Sequence, residues 1–315
     1  MGKVAFLFPG QGAQYAGMGA ALCDAERALY DAAEKIRPGI TKLCFEGPAD
    51  ALKDTRNTQP CLYLVEYAAA DALMRAGVRP DALAGFSLGE VTALAVGGAF
   101  DFAHGFEAVC ERGAFMAECA EKADTGMIAV LKLTASQVEG ICALFEGVYP
   151  VNYNCPGQIT VAGASDALEE AKKAFAQAGA RVVPLAVSGA FHSPYMDGAA
   201  IKFGHWLRDR EVELPRTEVW SNAAAAPYSG DVRLLLARQI NSPVRWDRIL
   251  LGMRDDGVDT FVEVGPGQTL SKFVEKTLQG ARVYHAETPD EIAAAAAELA
   301  QGSGALTDSY AEAAV

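Results

Sequence analysis

Apolar positions in this chain follow two periods, and the way they alternate predicts the architecture. Val4–Phe8 is an unbroken apolar run closed by Pro9-Gly10, the texture of a parallel strand buried on both faces. From Met18 to about Thr58 the pattern is helical, with breaks at Pro38-Gly39 and Gly47-Pro48. Gln59-Pro60 opens a long apolar helix, Cys61 to Ala76, with Gly77 as its C-cap. Val78 to Phe86 is extended and leads through a turn at Ser87 into a helical run, Glu90 to Val96. Another helix covers Phe106 to Ala120.

The texture then changes. Met127–Leu133 predicts a strand and Ser136–Phe145 a helix. Tyr149–Asn154 and Gln158–Ala162 form a strand pair across Cys155-Pro156-Gly157. Asp166–Ala178 is a second helix, and Arg181–Ala186 a final strand. The order βαββαβ is that of the split-βαβ sandwich. It predicts a small domain at 126–187 inserted into a large α/β domain made of 1–125 and 188–315. Ser188 returns the chain to the large domain. The expected elements there are helix Tyr195–Arg208, strand Thr217–Ser221, helix Asp231–Ile240, strand Gly257–Val264 and helix Thr269–Leu278. An edge strand at Val283–His285, a helix from Ile292 to Ala300 and a frayed tail from Gln301 complete the pattern.

Composition narrows the class. With 315 residues, 51% hydrophobic and 21% charged, the chain can bury a substantial core. A formal net charge of −13 argues against a nucleic-acid partner. The seven cysteines are scattered singly with no C-x-x-C pair, which argues against zinc or a disulfide framework and for a reducing cytoplasm. No apolar run is long enough to span a membrane. Arginines between Arg233 and Arg254 are offset by neighbouring aspartates and read as a solvated face.

Chemistry concentrates at Gly85-Phe86-Ser87-Leu88-Gly89. Strand, sharp turn and helix with serine at the turn would lift a hydroxyl above the end of a sheet, aimed at by a helix N-terminus. Such a hydroxyl can attack a carbonyl while nearby N–H groups hold the oxyanion. A bare G-x-S-x-G is as often a plain turn, because glycine and serine populate turns freely. Gly10 and Gly12 flank Gln11 in the turn after the first strand; if that strand and the one before Ser87 are parallel neighbours, both turns share the edge where open α/β sheets place their sites. Arg112 falls on the apolar side of its helix, with Ala108, Val109, Phe115 and Met116. A buried arginine needs acceptors; these are more commonly groups of its own protein, and the sharper alternative is a substrate carboxylate. Of four histidines, His192 stands out at the end of a strand in the small-residue loop Gly189–Ser193, although a lone histidine is usually structural.

Several stretches in order resemble one family. They are Pro9-Gly10-Gln11-Gly12, Gly85–Glu90, Arg112-Gly113, Asn152–Gln158, Gly189–Ser193, Gln239 with Asn241–Trp246, and Glu263–Gly267. The chain is similar to malonyl-CoA:acyl carrier protein transacylases and the acyltransferase domains of polyketide and fatty acid synthases, over nearly its whole length. The resemblance implies an α/β-hydrolase-like large domain with a short parallel sheet and an inserted ferredoxin-like small domain. It implies Ser87 as nucleophile and His192 as general base, with a backbone carbonyl near Gln239 orienting the imidazole. It implies an oxyanion hole from the backbone N–H groups of Gln11 and Leu88, and Arg112 as the ligand of the malonyl carboxylate. Phe86 stands where the family usually has histidine, so a polar group beside the acyl pocket is absent.

The implied reaction is ping-pong transfer from malonyl-CoA through malonyl-Ser87 to the phosphopantetheine thiol of acyl carrier protein, supplying fatty acid synthesis, with no metal or other cofactor. Arg112 would favour a diacid over acetyl by roughly 2–3 kcal/mol, and Phe191 beside the base would narrow the pocket against a 2-methyl group. The competing classes are a serine acyl hydrolase of the same fold, a non-catalytic carrier-binding module, and an acyltransferase serving a polyketide line in trans. Arg112 argues against the first, and Ser87 with His192 against the second.

Overall fold

The computed structural model describes residues 2–187 and 189–311, with side chains as far as residue 300. Ser188, the expected point of return to the large domain, lies outside the described residues. Among the described residues, nine strands form two sheets. They are β1 Lys3–Phe8, β2 Ala82–Gly85, β3 Thr125–Leu131, β4 Val148–Cys155, β5 Gln158–Ala164, β6 Arg181–Pro184, β7 Glu218–Trp220, β8 Val258–Val264 and β9 Arg282–Ala286.

The first sheet is parallel throughout, in the order β7-β2-β1-β8-β9. Its central strand β1 is buried on both faces, which is why it reads as a continuous apolar run. Phe6 and Phe8 join one core cluster with Leu62, Tyr63 and Phe106; Ala5 and Leu7 join the other with Trp246, Leu250 and Phe273. Each fully buried Phe or Leu contributes about 1.5–3 kcal/mol of transfer free energy, so this strand anchors both layers.

The second sheet is antiparallel, in the order β4-β5-β3-β6. With helices Ala135–Cys142 and Ser165–Gln177 it has the predicted βαββαβ sequence and its own core of Val130, Val161 and Phe175. Strand β4 of this sheet also bonds to the loop before helix Trp246–Asp255. The Tyr153 N–H donates to the Val244 carbonyl at 2.9 Å, and the Val244 N–H donates to the Val151 carbonyl at 2.8 Å. Val151 sits where the β4–β5 register shifts, so its carbonyl is free to leave the ladder.

Several boundaries differ from expectation, two of them by more than four residues. The long helix runs Thr55–Arg75, so Pro60 lies inside it instead of opening it. Asp54 caps the true start by accepting the Arg56 N–H. Proline at position 60 leaves the Arg56 carbonyl without its intrahelical donor, and the Arg37 guanidinium donates to that carbonyl instead. The last helix, Pro289–Ala311, continues past Gln301, where fraying was expected.

Candidate active site

β1 and β2 pair in register to their last residues, Phe8 with Gly85, so the segments that follow them emerge at one sheet edge. There the chain reverses into helix Gly89–Val96. A Cβ on Gly85 would lie 1.8 Å from the Gly89 carbonyl carbon, and one on Gly89 would lie 2.2 Å from the Phe8 oxygen. No side chain fits at either position, and this is the physical need behind the two glycines.

Ser87 between them has a left-handed backbone with φ 55°. A non-glycine residue holds that strained conformation only when its surroundings over-determine it. Asn222, two residues past β7, does so. Its Oδ1 accepts the Ser87 N–H at 2.7 Å, and its Nδ2 donates to the Gly85 carbonyl at 2.7 Å.

His192 is also left-handed, φ 61°, and buried. Its loop is pinned where the Ala190 N–H meets Thr125 Oγ1 at 3.1 Å and Ser193 Oγ donates to the Ala190 carbonyl at 2.5 Å. Nε2 lies 2.7 Å from Ser87 Oγ, and Nδ1 lies 3.0 Å from the Gln239 carbonyl. A carbonyl can only accept, so Nδ1 carries the proton and Nε2 offers its lone pair to the serine hydroxyl. Burial first, and the Arg112 charge second, push the imidazole pKa down to about 4, so it is neutral at pH 7.

Arg112 is fully buried. One terminal nitrogen donates to Gln59 Oε1 at 2.8 Å. The other donates to Gln239 Oε1 at 2.8 Å and lies 3.3 Å from Ser87 Oγ. Nε has no partner among the described residues. The guanidinium is thus held by two neutral amide oxygens, with no carboxylate in hydrogen-bonding range. Burial lowers its pKa to about 10, which leaves it charged at neutral pH.

Ser87, His192 and Arg112 line a cavity of about 80 Å³, together with Gln11, Leu88 and Phe191. Neither the Gln11 nor the Leu88 amide donates to another described group, so both remain available to an incoming oxygen. A second cavity of about 210 Å³ continues toward β4, β5 and helix Thr269–Thr277, sharing Gln11, Phe86, Asn152 and Leu185 with the first. Phe86 is the aromatic wall between them, edge-on to Trp246 at 5.5 Å and near Phe273 at 6.3 Å. All eight residues singled out in the sequence therefore meet at one edge of the sheet: Gln11, Phe86, Ser87, Leu88, Arg112, Phe191 and His192 line the cavity, and Gln239 lies behind it.

Three contributors escaped sequence reasoning. Gln59 read as a helix opener. Asn222 carried only one signal, its place just after a strand that ends on the active edge. Glu90 was noticed as part of the elbow, but its burial beneath the serine was not. Elsewhere, His285, Glu287 and Glu291 place ligand atoms within 4.8 Å of one another. Both His285 nitrogens already face acceptors, Gly265 O at 3.0 Å and Glu291 Oε1 at 3.1 Å, and Glu291 Oε2 caps the last helix through the Thr288 N–H at 3.0 Å. That cluster is accounted for by helix capping. No helix among the described residues is long and apolar enough to cross a membrane.

The family profile described as acyl transferase domain matches residues 5–300. The chain is 36% identical over 303 residues to the malonyl CoA-acyl carrier protein transacylase of Bacillus subtilis (strain 168), covering 93% of this chain and 96% of that one. Its fold is similar to the crystal structure of the Clostridium perfringens malonyl CoA-acyl carrier protein transacylase, with TM-score 0.93 and 34% identity, covering 97% of this chain and 99% of that one. It is also similar, with TM-score 0.88 and 30% identity over 92% of this chain and 97% of that one, to a malonyl-transacylase in complex with its type II PKS acyl-carrier protein.

Proposed function

Because the chain belongs to the acyl transferase domain family, we propose that its Ser87 carries a malonyl group from coenzyme A to a carrier-protein thiol. The protein is an acyltransferase that moves malonyl from malonyl-CoA to acyl carrier protein. The observation that carries the site assignment is the line Gln239 carbonyl, His192, Ser87 Oγ, with contacts of 3.0 and 2.7 Å.

His192 Nε2 takes the Ser87 proton as Oγ attacks the thioester carbon. The amides of Gln11 and Leu88 receive the oxyanion; their lack of other acceptors supports that role. The thioester C–S bond breaks, and the CoA thiolate leaves with the proton from His192. The pantetheine thiol of the carrier then gives its proton to His192, attacks malonyl-Ser87, and returns the serine hydroxyl. Ester and thioester are close in energy, so the exchange balances without an added cofactor. Arg112 receives the free carboxylate. Burial sets most of the depression of His192 and the Arg112 charge adds to it; the pairing cancels that second part, so a diacid substrate strengthens the base that acylates the serine. Phe191 and Phe86 bound the acyl group from two sides.

We assign residues 126–187 to a ferredoxin-like small domain and 1–125 with 188–315 to the catalytic domain; the separate antiparallel sheet and its own core support this division. Malonyl carrier is the extender unit of fatty acid synthesis, our preferred setting, and a polyketide carrier presents the same thiol. Seven unpaired cysteines support a reducing cytoplasm.

The test is intact-protein mass spectrometry after brief mixing with malonyl-CoA, with acetyl-CoA in parallel and Ser87→Ala as control. A malonyl adduct on the wild type alone is expected. CoA release without any adduct would indicate a hydrolase and overturn the assignment.

A further inference from the structure

Glu90, in the first turn of the helix after Ser87, has no exposed surface. Three donors converge on its carboxylate: the Tyr228 hydroxyl on Oε1, and the Asn222 N–H at 2.9 Å and Gln239 Nε2 at 3.1 Å on Oε2. No cation among the described residues donates to it. Gln239 links it to Arg112: its Oε1 accepts from the guanidinium at 2.8 Å, while its Nε2 faces the Ser87 carbonyl at 2.6 Å, Glu90 at 3.1 Å and Asn222 Oδ1 at 3.4 Å.

A carboxamide has two unlike ends. With acceptors alone on one side and a guanidinium on the other, only one orientation satisfies both. The flipped amide would set oxygen against oxygen beneath Ser87 and N–H against N–H at Arg112. We propose that Glu90 is a positioning residue whose carboxylate fixes the orientation of the Gln239 carboxamide and thereby aims Arg112 at the acyl carboxylate. Burial raises the Glu90 carboxyl, which stands at about 7 even with its three donors and Arg112 drawing it down, so the carboxylate depends on those same partners. The proposal rests on Ser87 as nucleophile and Arg112 as carboxylate ligand.

The experiment is a double-mutant cycle on the full chain with Glu90→Gln and Gln239→Met. It reads malonyl loading of Ser87 from malonyl-CoA, and modification of Ser87 by phenylmethylsulfonyl fluoride, which has no carboxylate. A glutamine at 90 removes the negative charge beneath the Gln239 N–H and can donate to it as well as accept, and so weakens its hold on one orientation. Glu90→Gln is expected to lower kcat/KM for malonyl loading about tenfold and leave sulfonyl fluoride labelling within about twofold. In the Gln239→Met background the same change is expected to do nothing further. Equal losses in both reactions would overturn the proposal by making Glu90 a scaffold of the elbow. A full malonyl penalty persisting without the Gln239 amide would overturn it in favour of a path through Asn222. If Glu90→Gln does not fold, Glu90→Asp, whose shorter side chain draws the carboxylate away from the Gln239 N–H, enters the same cycle with the same expected pattern. Failure of the underlying assignment is distinguishable, because the wild type would then show no malonyl adduct on Ser87.

Discussion

Replacing Arg112 with alanine should separate malonyl from acetyl transfer. The guanidinium is fully buried, its two terminal nitrogens rest on neutral amide oxygens at 2.8 Å, and its Nε is unpartnered. A malonyl carboxylate bound there would be its direct ionic partner in a buried site. Truncating one member of such a desolvated pair costs about 2–5 kcal/mol, because the other charge is left buried and alone. At about 1.36 kcal/mol per decade, malonyl kcat/KM should fall roughly 30- to 5,000-fold. The value of 2–3 kcal/mol expected from residue type alone is the lower end, and burial supplies the rest. Acetyl has no carboxylate to strand. Its loss should stay below about tenfold, arising from the missing donors to Gln59 and Gln239. Arg112→Lys, which keeps the charge and loses the planar fork, should fall between. The assay is quenched-flow loading followed by intact mass spectrometry with each acyl-CoA, beside a thermal melt to confirm folding. Equal losses for malonyl and acetyl would refute a carboxylate ligand and leave Arg112 a structural residue.

His192 has its pKa lowered from 6.5 to about 4, so sulfonyl fluoride labelling of Ser87 should be flat from pH 5 to 7 and decline only toward pH 4; an inflection near 6.5 would contradict the depressed value. The unfolded chain binds more protons than the native one between those two values, so His192 lowers stability as pH falls through that window, and His192→Gln should reduce the fall in melting temperature. Gly85→Ala, whose Cβ would meet the Gly89 carbonyl carbon at 1.8 Å, should cost more than about 4 kcal/mol or prevent folding, whereas Gly140→Ala, with nothing within 4 Å of its Cβ, should be neutral or stabilising by about 0.5–1 kcal/mol in chemical denaturation. Phe86→Ala removes the wall shared by the two cavities, so methylmalonyl loading relative to malonyl should rise about three- to tenfold, with a lower melting temperature; an unchanged ratio would free Phe86 of any part in selection.

By itself the chain's pattern of residues determined the elements and their order. A strand buried on both faces must be apolar at every position, and β1 is; a sharp turn that admits no Cβ must be glycine, and Gly85 and Gly89 are. The βαββαβ order of the small sheet followed from period alone, and Arg112 was legible as anomalous because helical spacing put a cation on an apolar face. These are local constraints, written in neighbouring residues. Pro60 misled for the same reason: what permits it inside a helix is the Arg37 side chain, 23 residues earlier in the chain. Only the tertiary structure could show that Asn222 holds the Ser87 amide, that Gln59 and Gln239 cradle Arg112, and that Glu90 accepts from both Asn222 and Gln239. Amides and carboxylates carry no periodic signature. Their partners are chosen by which strand ends share an edge, and that is settled when β7, β2 and β1 align in parallel and burial obliges every polar group between them to find a mate.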